Sequence, residues 1–216
     1  HVLANIFLHY VLDLLFDKVV KPCCRGKAYM CRFADDFVCA FEYKDDAKRF
    51  FAVLPERLAK FGLSLALDKS RILLFNRFEK TSMRFDFLGF EFRWGKTRDG
   101  RPSIIRRTSR KKFRLSLANF RAWIKKNRHM RLYALFAELN AKLRGYYNYY
   151  GVIGNYPSLS EFEYHMECIL LKWLNRRSQR KSFTWDSFRR TLNYYRIVKP
   201  KIVEQRSSTQ QELKFT

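Results

Sequence analysis

The sequence predicts an α+β fold. An antiparallel sheet with packed helices is expected over about residues 1–105, an all-helical unit over about 106–200, and a flexible polar tail over 201–216. Three observations carry this prediction. Short runs rich in aromatic and β-branched residues, such as AYMCRF and FVCAF on either side of Asp35-Asp36, have the length and composition of strands. Beyond about residue 110, apolar residues recur at helical spacing instead. The charge changes with the periodicity: residues 1–100 carry 18 basic and 13 acidic side chains, and residues 101–216 carry 26 and 7.

The first segment, HVLANIFLHYVLDLLFDKVV, is apolar around most of its circumference and predicts a buried helix. Asn5, His9, Asp13 and Asp17 interrupt it, which argues against a membrane span, and no signal peptide is recognised. It starts at His1 without a polar lead-in or cap, so the expectation is a chain cut from the middle of a larger domain. Two strands then meet at Asp35-Asp36. Turn chemistry alone does not explain the pair, because no Gly or Asn supplies the positive φ that a two-residue hairpin favours. Two ionised carboxylates about 5 Å apart repel by roughly 3 kcal/mol at an effective dielectric near 20. A shared divalent cation reverses that sign. A solvated turn and a metal site are the two alternatives that the residues leave open.

KDDAKRFFAVLPERLAKFGL predicts a helix capped by Asp45 or Asp46, with Ala47, Phe50, Leu54, Leu58 and Phe61 on one face. Gly62 should stop it and Pro55 should kink it. SLALDKSRILLF predicts two short strands around Asp68-Lys69, and FDFLGFEFRWG one alternating strand. KTRDGRPS is a basic turn leading to a returning strand, SIIRRT. In the basic half, Phe113, Leu117, Phe120 and Ile124 form one helical stripe, and Leu132, Phe136, Leu139 and Leu143 a second. A third helix is expected from Ser158, where Ser158 with Glu161 and Ser160 with Glu163 fit capping boxes, burying Phe162, Met166, Ile169 and Trp173. A shorter helix follows Thr184.

The net charge of +24 calls for an anionic partner, nucleic acid ahead of an anionic membrane surface. LRGYYNYYGVIGNYP gathers Arg144, Tyr146, Tyr147 and further tyrosines around glycines. KWLNRRSQRKSFTW sets Lys172, Arg176, Arg177, Arg180 and Lys181 between two tryptophans. Basic side chains interleaved with aromatics fit an RNA-binding surface. The alternative is a set of core tyrosines and an ordinary solvated face. Five cysteines, odd in number and without CxxC spacing, read as reduced thiols of an intracellular protein.

Taken in order, VLANIFLHYVLD, FADD, FGLSLALDKS, FLGF, KLRGYYNYYG and WLNRRSQRKSF resemble the C-terminal part of a bacterial group II intron-encoded reverse transcriptase and maturase. The resemblance spans roughly residues 1–200. It implies a reverse-transcriptase-like palm followed by a helical thumb, or maturase (X) domain. FADD stands where the family has Tyr-Ala-Asp-Asp, with Phe33 in place of the tyrosine, which implies that Asp35 and Asp36 are catalytic metal ligands. GLSLALDKS resembles the palm motif whose lysine lies near the incoming nucleotide, implying a catalytic role for Lys69. Phe87, Leu88 and Gly89 fall in a segment that resembles the primer-grip hairpin. The implied function is RNA-directed DNA polymerisation by two-metal nucleotidyl transfer, with Mg²⁺ or Mn²⁺ as cofactor and a role in splicing. The implied partners are a template–primer duplex, group II intron RNA, DNA and a dNTP, in the bacterial cytoplasm and with no membrane. The family's fingers and its earlier catalytic Asp fall before residue 1, so the isolated chain is expected to be inactive without that N-terminal portion. A degenerate, non-catalytic RNA-binding maturase fragment is the alternative.

Overall fold

The computed structural model describes residues 2–77, 83–97, 99–177 and 182–205. The chain divides into two compact units, His1–Leu88 and Gly89–Thr216. The division falls before the boundary near residue 105 that the sequence suggests.

Unit 1 begins with helical turns: α1 (Val2–Leu8), wider turns at His9–Asp13 and Phe16–Val20, then α2 (Lys21–Cys23). Wide turns of this kind, closed five residues apart, add a residue to the helix and shift the face that follows. Only Val11, Leu12 and Phe16 are buried here, while Val2 and Leu3 are exposed. The expected fully buried helix is therefore corrected: one face packs inward, and much of the remaining apolar circumference stays open. A two-stranded antiparallel sheet follows, β1 (Ala28–Phe33) paired with β2 (Asp36–Phe41) in the register Phe33↔Asp36 to Ala28↔Phe41. The helix α3 (Lys44–Ala59) buries Phe50, Leu54 and Leu58 as the stripe predicts, and continues through Pro55. Phe61 is exposed. Neither Asp45 nor Asp46 caps α3; both lie in its first turn, where the helix dipole favours carboxylates. Gly62 (φ 69) ends the helix, with Gly62 N–H donating to the Ala59 carbonyl and Leu63 N–H to that of Leu58. Phe16 packs edge-on against Phe41 and Phe50, joining helix, sheet and α3 in one core.

Residues 63–76 form no strand. A turn at Leu67–Lys69 sits between segments that take no regular secondary structure, which corrects the expected strand pair. FDFLGFEFRWG is also not one strand. β3 (Arg84–Phe87) ends unit 1 and β4 (Phe90–Lys96) opens in unit 2, with Leu88 (φ 49) and Gly89 (φ 78) between them. The apolar positions change parity across this break, from Phe85 and Phe87 to Phe90, Phe92 and Trp94.

Unit 2 opens on two strands and is helical beyond them, as the periodicity past about residue 110 predicts. β4 pairs antiparallel with β5 (Pro102–Thr108), and four helices follow: α4 (Arg110–Asn127), α5 (Leu132–Tyr150), α6 (Tyr156–Leu174) and α7 (Trp185–Tyr194). Phe120, Ile124, Leu135, Phe136, Leu139, Leu143, Phe162, Met166, Leu170, Phe188 and Leu192 form its core. Ser109 caps α4 by accepting from Lys112 N–H, and Thr184 with Ser187 forms a capping box at α7. α6 starts at Tyr156 after Asn155, not at Ser158 with a capping box. Asn155 stands at the cap position, but its side chain makes no cap bond because it is engaged elsewhere. Its amide is fully buried; Oδ1 accepts from Thr108 N–H at 2.8 Å, and Nδ2 donates to the Tyr150 carbonyl (2.8 Å) and to Thr108 Oγ1 (2.9 Å).

Residues 201–205 do not form a free tail. Gly151 C=O accepts from Val203 N–H (2.7 Å) and Glu204 N–H (3.1 Å). The Glu204 carboxylate takes Arg106 Nη2 at 2.6 and 2.7 Å and Ile153 N–H at 2.7 Å. A Cβ on Gly151 would lie 2.7 Å from the Lys201 carbonyl, so this seam requires glycine. Residues 206–216 lie outside the described residues.

Asn155→Ala takes the acceptor from the Thr108 N–H and one of two donors from the Tyr150 carbonyl, which keeps the Val152 N–H, and should destabilise unit 2 by roughly 2 kcal/mol in urea unfolding. Glu204→Ala should cost roughly 2 kcal/mol at pH 7. Burial raises the Glu204 pKa, but the Arg106 and Ile153 hydrogen bonds outweigh it and hold the carboxyl below its ordinary 4.5. That stability is present above pH 4.5 and is lost as the pH falls through 4.5 and the lower folded value. The mutational cost should therefore shrink at pH 3; an equal cost at both pH values would remove the ion pair from the account.

Candidate catalytic hairpin and nucleic-acid surface

The β1–β2 hairpin places its two loop residues at Ala34 and Asp35, with Asp36 already paired to Phe33. This shifts the expected Asp35-Asp36 tip by one residue. Ala34 takes the left-handed conformation (φ 54) that the sequence had no Gly or Asn to supply. Along β1 the alternation sends Ala28, Met30 and Arg32 inward, while Tyr29, Cys31 and Phe33 are exposed. Asp35 and Asp36 are both exposed, and neither carboxylate is paired with any of the described residues.

Arg32 is the unusual inward residue. Its Nε and Nη2 donate to the two Asp13 oxygens at 2.7 and 2.6 Å. Its Nη1 donates to the Ala34 carbonyl at 2.9 Å and to Asn5 Oδ1 at 3.2 Å. The Arg32 hydrogen bond holds the Asp13 carboxyl below its ordinary range against the opposing effect of burial, and His9 Nδ1, 3.3 Å away, adds to the lowering.

Among the described residues no group of three or more His, Cys, Asp or Glu forms a ready metal cage. Two adjacent, solvent-facing carboxylates do suit Mg²⁺, which commonly takes one or two protein carboxylates and completes its shell with water and substrate phosphate. Lys69 is exposed in the Leu67–Lys69 turn and forms no ion pair with Asp35 or Asp36. A hollow of about 580 Å³, lined by Lys21, Arg25, Lys27, Tyr29 and Glu42, lies at the opposite end of the hairpin from the carboxylates. One of its cations is neutralised, since Arg25 pairs with Asp45 at 3.0 Å; Glu42 accepts from the backbone N–H of Lys27.

The FLGF residues form a strand end, a two-residue turn and a strand start. Phe87 ends β3 and Leu88 closes unit 1, while Gly89 opens unit 2. Gly89 combines φ 78 with a close approach, since a Cβ there would lie 3.1 Å from Tyr150 Oη. Phe90 stacks on Tyr149 (5.8 Å, 20°) and meets Tyr150 edge-on at 5.3 Å. The tyrosine cluster of α5 is thus partly a buttress for the start of β4.

This changes the expected binding surface. Tyr147 is 0% exposed and Tyr146 stacks on Phe162 at 3.9 Å, so the core alternative holds for Tyr147 and largely for Tyr146. Burial pushes both phenols well above their ordinary range. Continuing the stripe Leu139, Leu143 by four and then three residues reaches Tyr147 and Tyr150, which is the signal that finds them. Arg144 and Lys172 are exposed. Arg176 is exposed and lies over the Trp173 ring at 5.3 Å, with Arg128 at 5.4 Å. Arg177 is partly structural, donating to the Met130 carbonyl at 2.9 Å. Arg180 and Lys181 lie outside the described residues.

A basic feature that the sequence reading passed over lies on α4. Lys111, Arg114, Arg121 and Lys125 are all exposed and recur at multiples of three and four residues. They form one stripe along roughly 21 Å of helix, and α4 contains no acidic residue. Exposed aromatics of unit 2 include Tyr133 (79%), Tyr164 (64%) and Tyr194 (79%).

Residues 2–92 match the family described as reverse transcriptase (RNA-dependent DNA polymerase), and residues 110–195 match the group II intron maturase-specific domain. The order of the two defines a reverse-transcriptase palm followed by a helical maturase domain. The chain belongs to the group II intron reverse transcriptase/maturase family. A search of curated proteins gives no match. Among the described residues no helix is long and apolar enough to cross a membrane.

Tyr147→Phe removes only a buried hydroxyl without a hydrogen-bond partner. It should leave stability within about 0.5 kcal/mol and RNA affinity unchanged, whereas Tyr147→Ala should cost roughly 3–5 kcal/mol of stability. A folded Tyr147→Phe protein with weakened RNA binding, measured by filter binding alongside circular dichroism, would return this ring to the interface.

Proposed function

We propose that the protein is an RNA-directed DNA polymerase that also binds its parent intron RNA to assist splicing, acting inside the cell on a template–primer duplex and dNTPs. The observation that carries this reading is the pair Asp35 and Asp36, exposed and unpaired on an otherwise apolar hairpin in a chain of this family. The Arg32 bonds to Asp13 and to the Ala34 carbonyl tie the hairpin to the N-terminal helical segment, and the absence of competing cationic partners among the described residues leaves both carboxylates available. Asp35 and Asp36 would hold Mg²⁺ through their carboxylate oxygens, with substrate phosphate and water completing the shell. When bound, the ions supply Lewis-acid stabilisation of the phosphoryl oxygens and lower the pKa of the attacking 3′-hydroxyl. Lys69, exposed in its turn, would neutralise the departing pyrophosphate.

Unit 2 would supply the nucleic-acid grip. The α4 stripe, Arg144, Lys172 and Arg176 place positive charge on exposed helical surface, and exposed tyrosines offer planes for unpaired bases.

Asp35→Asn or Asp36→Asn should abolish primer extension by the full-length protein while leaving intron RNA affinity unchanged. Extension that survives both substitutions would refute the catalytic assignment and leave the alternative of a non-catalytic RNA-binding maturase. Neutralising Lys111, Arg114, Arg121 and Lys125 together should flatten the dependence of log K on log salt, by about 0.7 per lost contact on single strands. An unchanged slope would clear α4 of phosphate contact.

A further inference from the structure

Arg32 reaches two places at once. It grips Asp13 through both carboxylate oxygens, at 2.7 and 2.6 Å, and it holds the Ala34 carbonyl at 2.9 Å. Ala34 is the residue that turns the chain into Asp35, and it does so at φ 54, a conformation disfavoured for a residue with a Cβ. A strained turn persists only where its surroundings over-determine it. We infer that Arg32, held by Asp13, is a positioning residue for the Asp35-Asp36 hairpin, fixing the turn through the Ala34 carbonyl. This rests on the proposed catalytic role of the pair.

The donor accounting supports the role. A guanidinium has five N–H groups. Nε serves Asp13, Nη2 serves Asp13, and Nη1 serves both Ala34 and Asn5, so four are engaged in a half-buried setting. The ligands come from one face of the N-terminal helical segment: Asn5, His9 and Asp13 are spaced by four, and His9 touches Asp13 in turn. The hairpin tip is thereby referenced to the helix rather than to its own turn. Lysine cannot substitute, because one ammonium on a single stem cannot span two carboxylate oxygens and the carbonyl with the planar fork of arginine.

The test uses the full-length protein, with Arg32→Lys and Asp13→Asn compared against Asp35→Asn. Primer extension should lose roughly tenfold or more in kcat in both clamp variants, since small displacements of catalytic groups cost rate steeply. The KM for template–primer and the affinity for intron RNA should stay at wild-type values. Mn²⁺ binding, followed by the electron paramagnetic resonance of free Mn²⁺, should weaken in Arg32→Lys although the fold is retained by circular dichroism. Arg32→Lys at wild-type kcat and wild-type Mn²⁺ affinity would overturn the inference. So would a loss of activity that tracks the loss of thermal stability and recovers on cooling, which would mark a structural pair only. An active Asp35→Asn protein would instead overturn the catalytic reading itself, which keeps the two failures apart.

Discussion

A buried amide has no water to fall back on, and Asn155 shows how much architecture can hang on that constraint. From the head of α6, two of its three hydrogen bonds reach Thr108 at the end of β5 and the third the last carbonyl of α5. Remove the amide and each of those elements keeps its local reasons to form, but nothing specifies where they meet. The hydrophobic core of unit 2 is broad and tolerant in principle; cores built of Leu, Phe and Ile accept alternative packings at modest cost. A polar group that must be satisfied in one geometry removes that freedom.

Unit 1 uses the same device with charge. Arg32 enters the inward face of a small sheet, and Asp13, on an otherwise apolar helix, answers it. An isolated buried charge is far more costly than an amide, so the pair dictates the relative setting of helix and hairpin. The two units therefore share a logic: apolar stripes make the elements, and one polar knot in each fixes their register.

The stripes were legible in the sequence and the knots were not. The faces of α3, α4 and α5 follow from spacing alone, and so does the β1–β2 hairpin. Arg32 was readable as an odd residue, being the one charge in an inward position of AYMCRF, and Asn5, His9 and Asp13 stood out as interruptions at four-residue intervals. Pairing them required knowing that the helix lies under the hairpin, which no local pattern states. Asn155 sits unmarked in a glycine- and tyrosine-rich stretch, and Ser158 and Ser160 beyond it fit capping boxes better; tertiary demand overrode local preference. The strands expected around Asp68-Lys69 did not form for a different reason: β propensity reflects packing context more than composition. Leu88 gave no hint of its positive φ, although Gly89 did.

The bond between Arg106 and Glu204 closes across 98 residues, while that between Thr108 and Asn155 closes across 47. Closing the longer loop costs on the order of 4 kcal/mol of chain entropy before any contact repays it. Synthesis delivers the partners in the same order. The amide at 155 can tie β5 to the first helices as soon as α6 begins to emerge, but Gly151 and Arg106 wait for residues 203 and 204. A nascent chain paused between those points carries a packed helical body whose hairpin is held at one end only, with the Arg106 guanidinium still in water. The last stretch of unit 2 is thus a latch that shuts late, and its timing is set by distance along the chain rather than by the strength of its bonds.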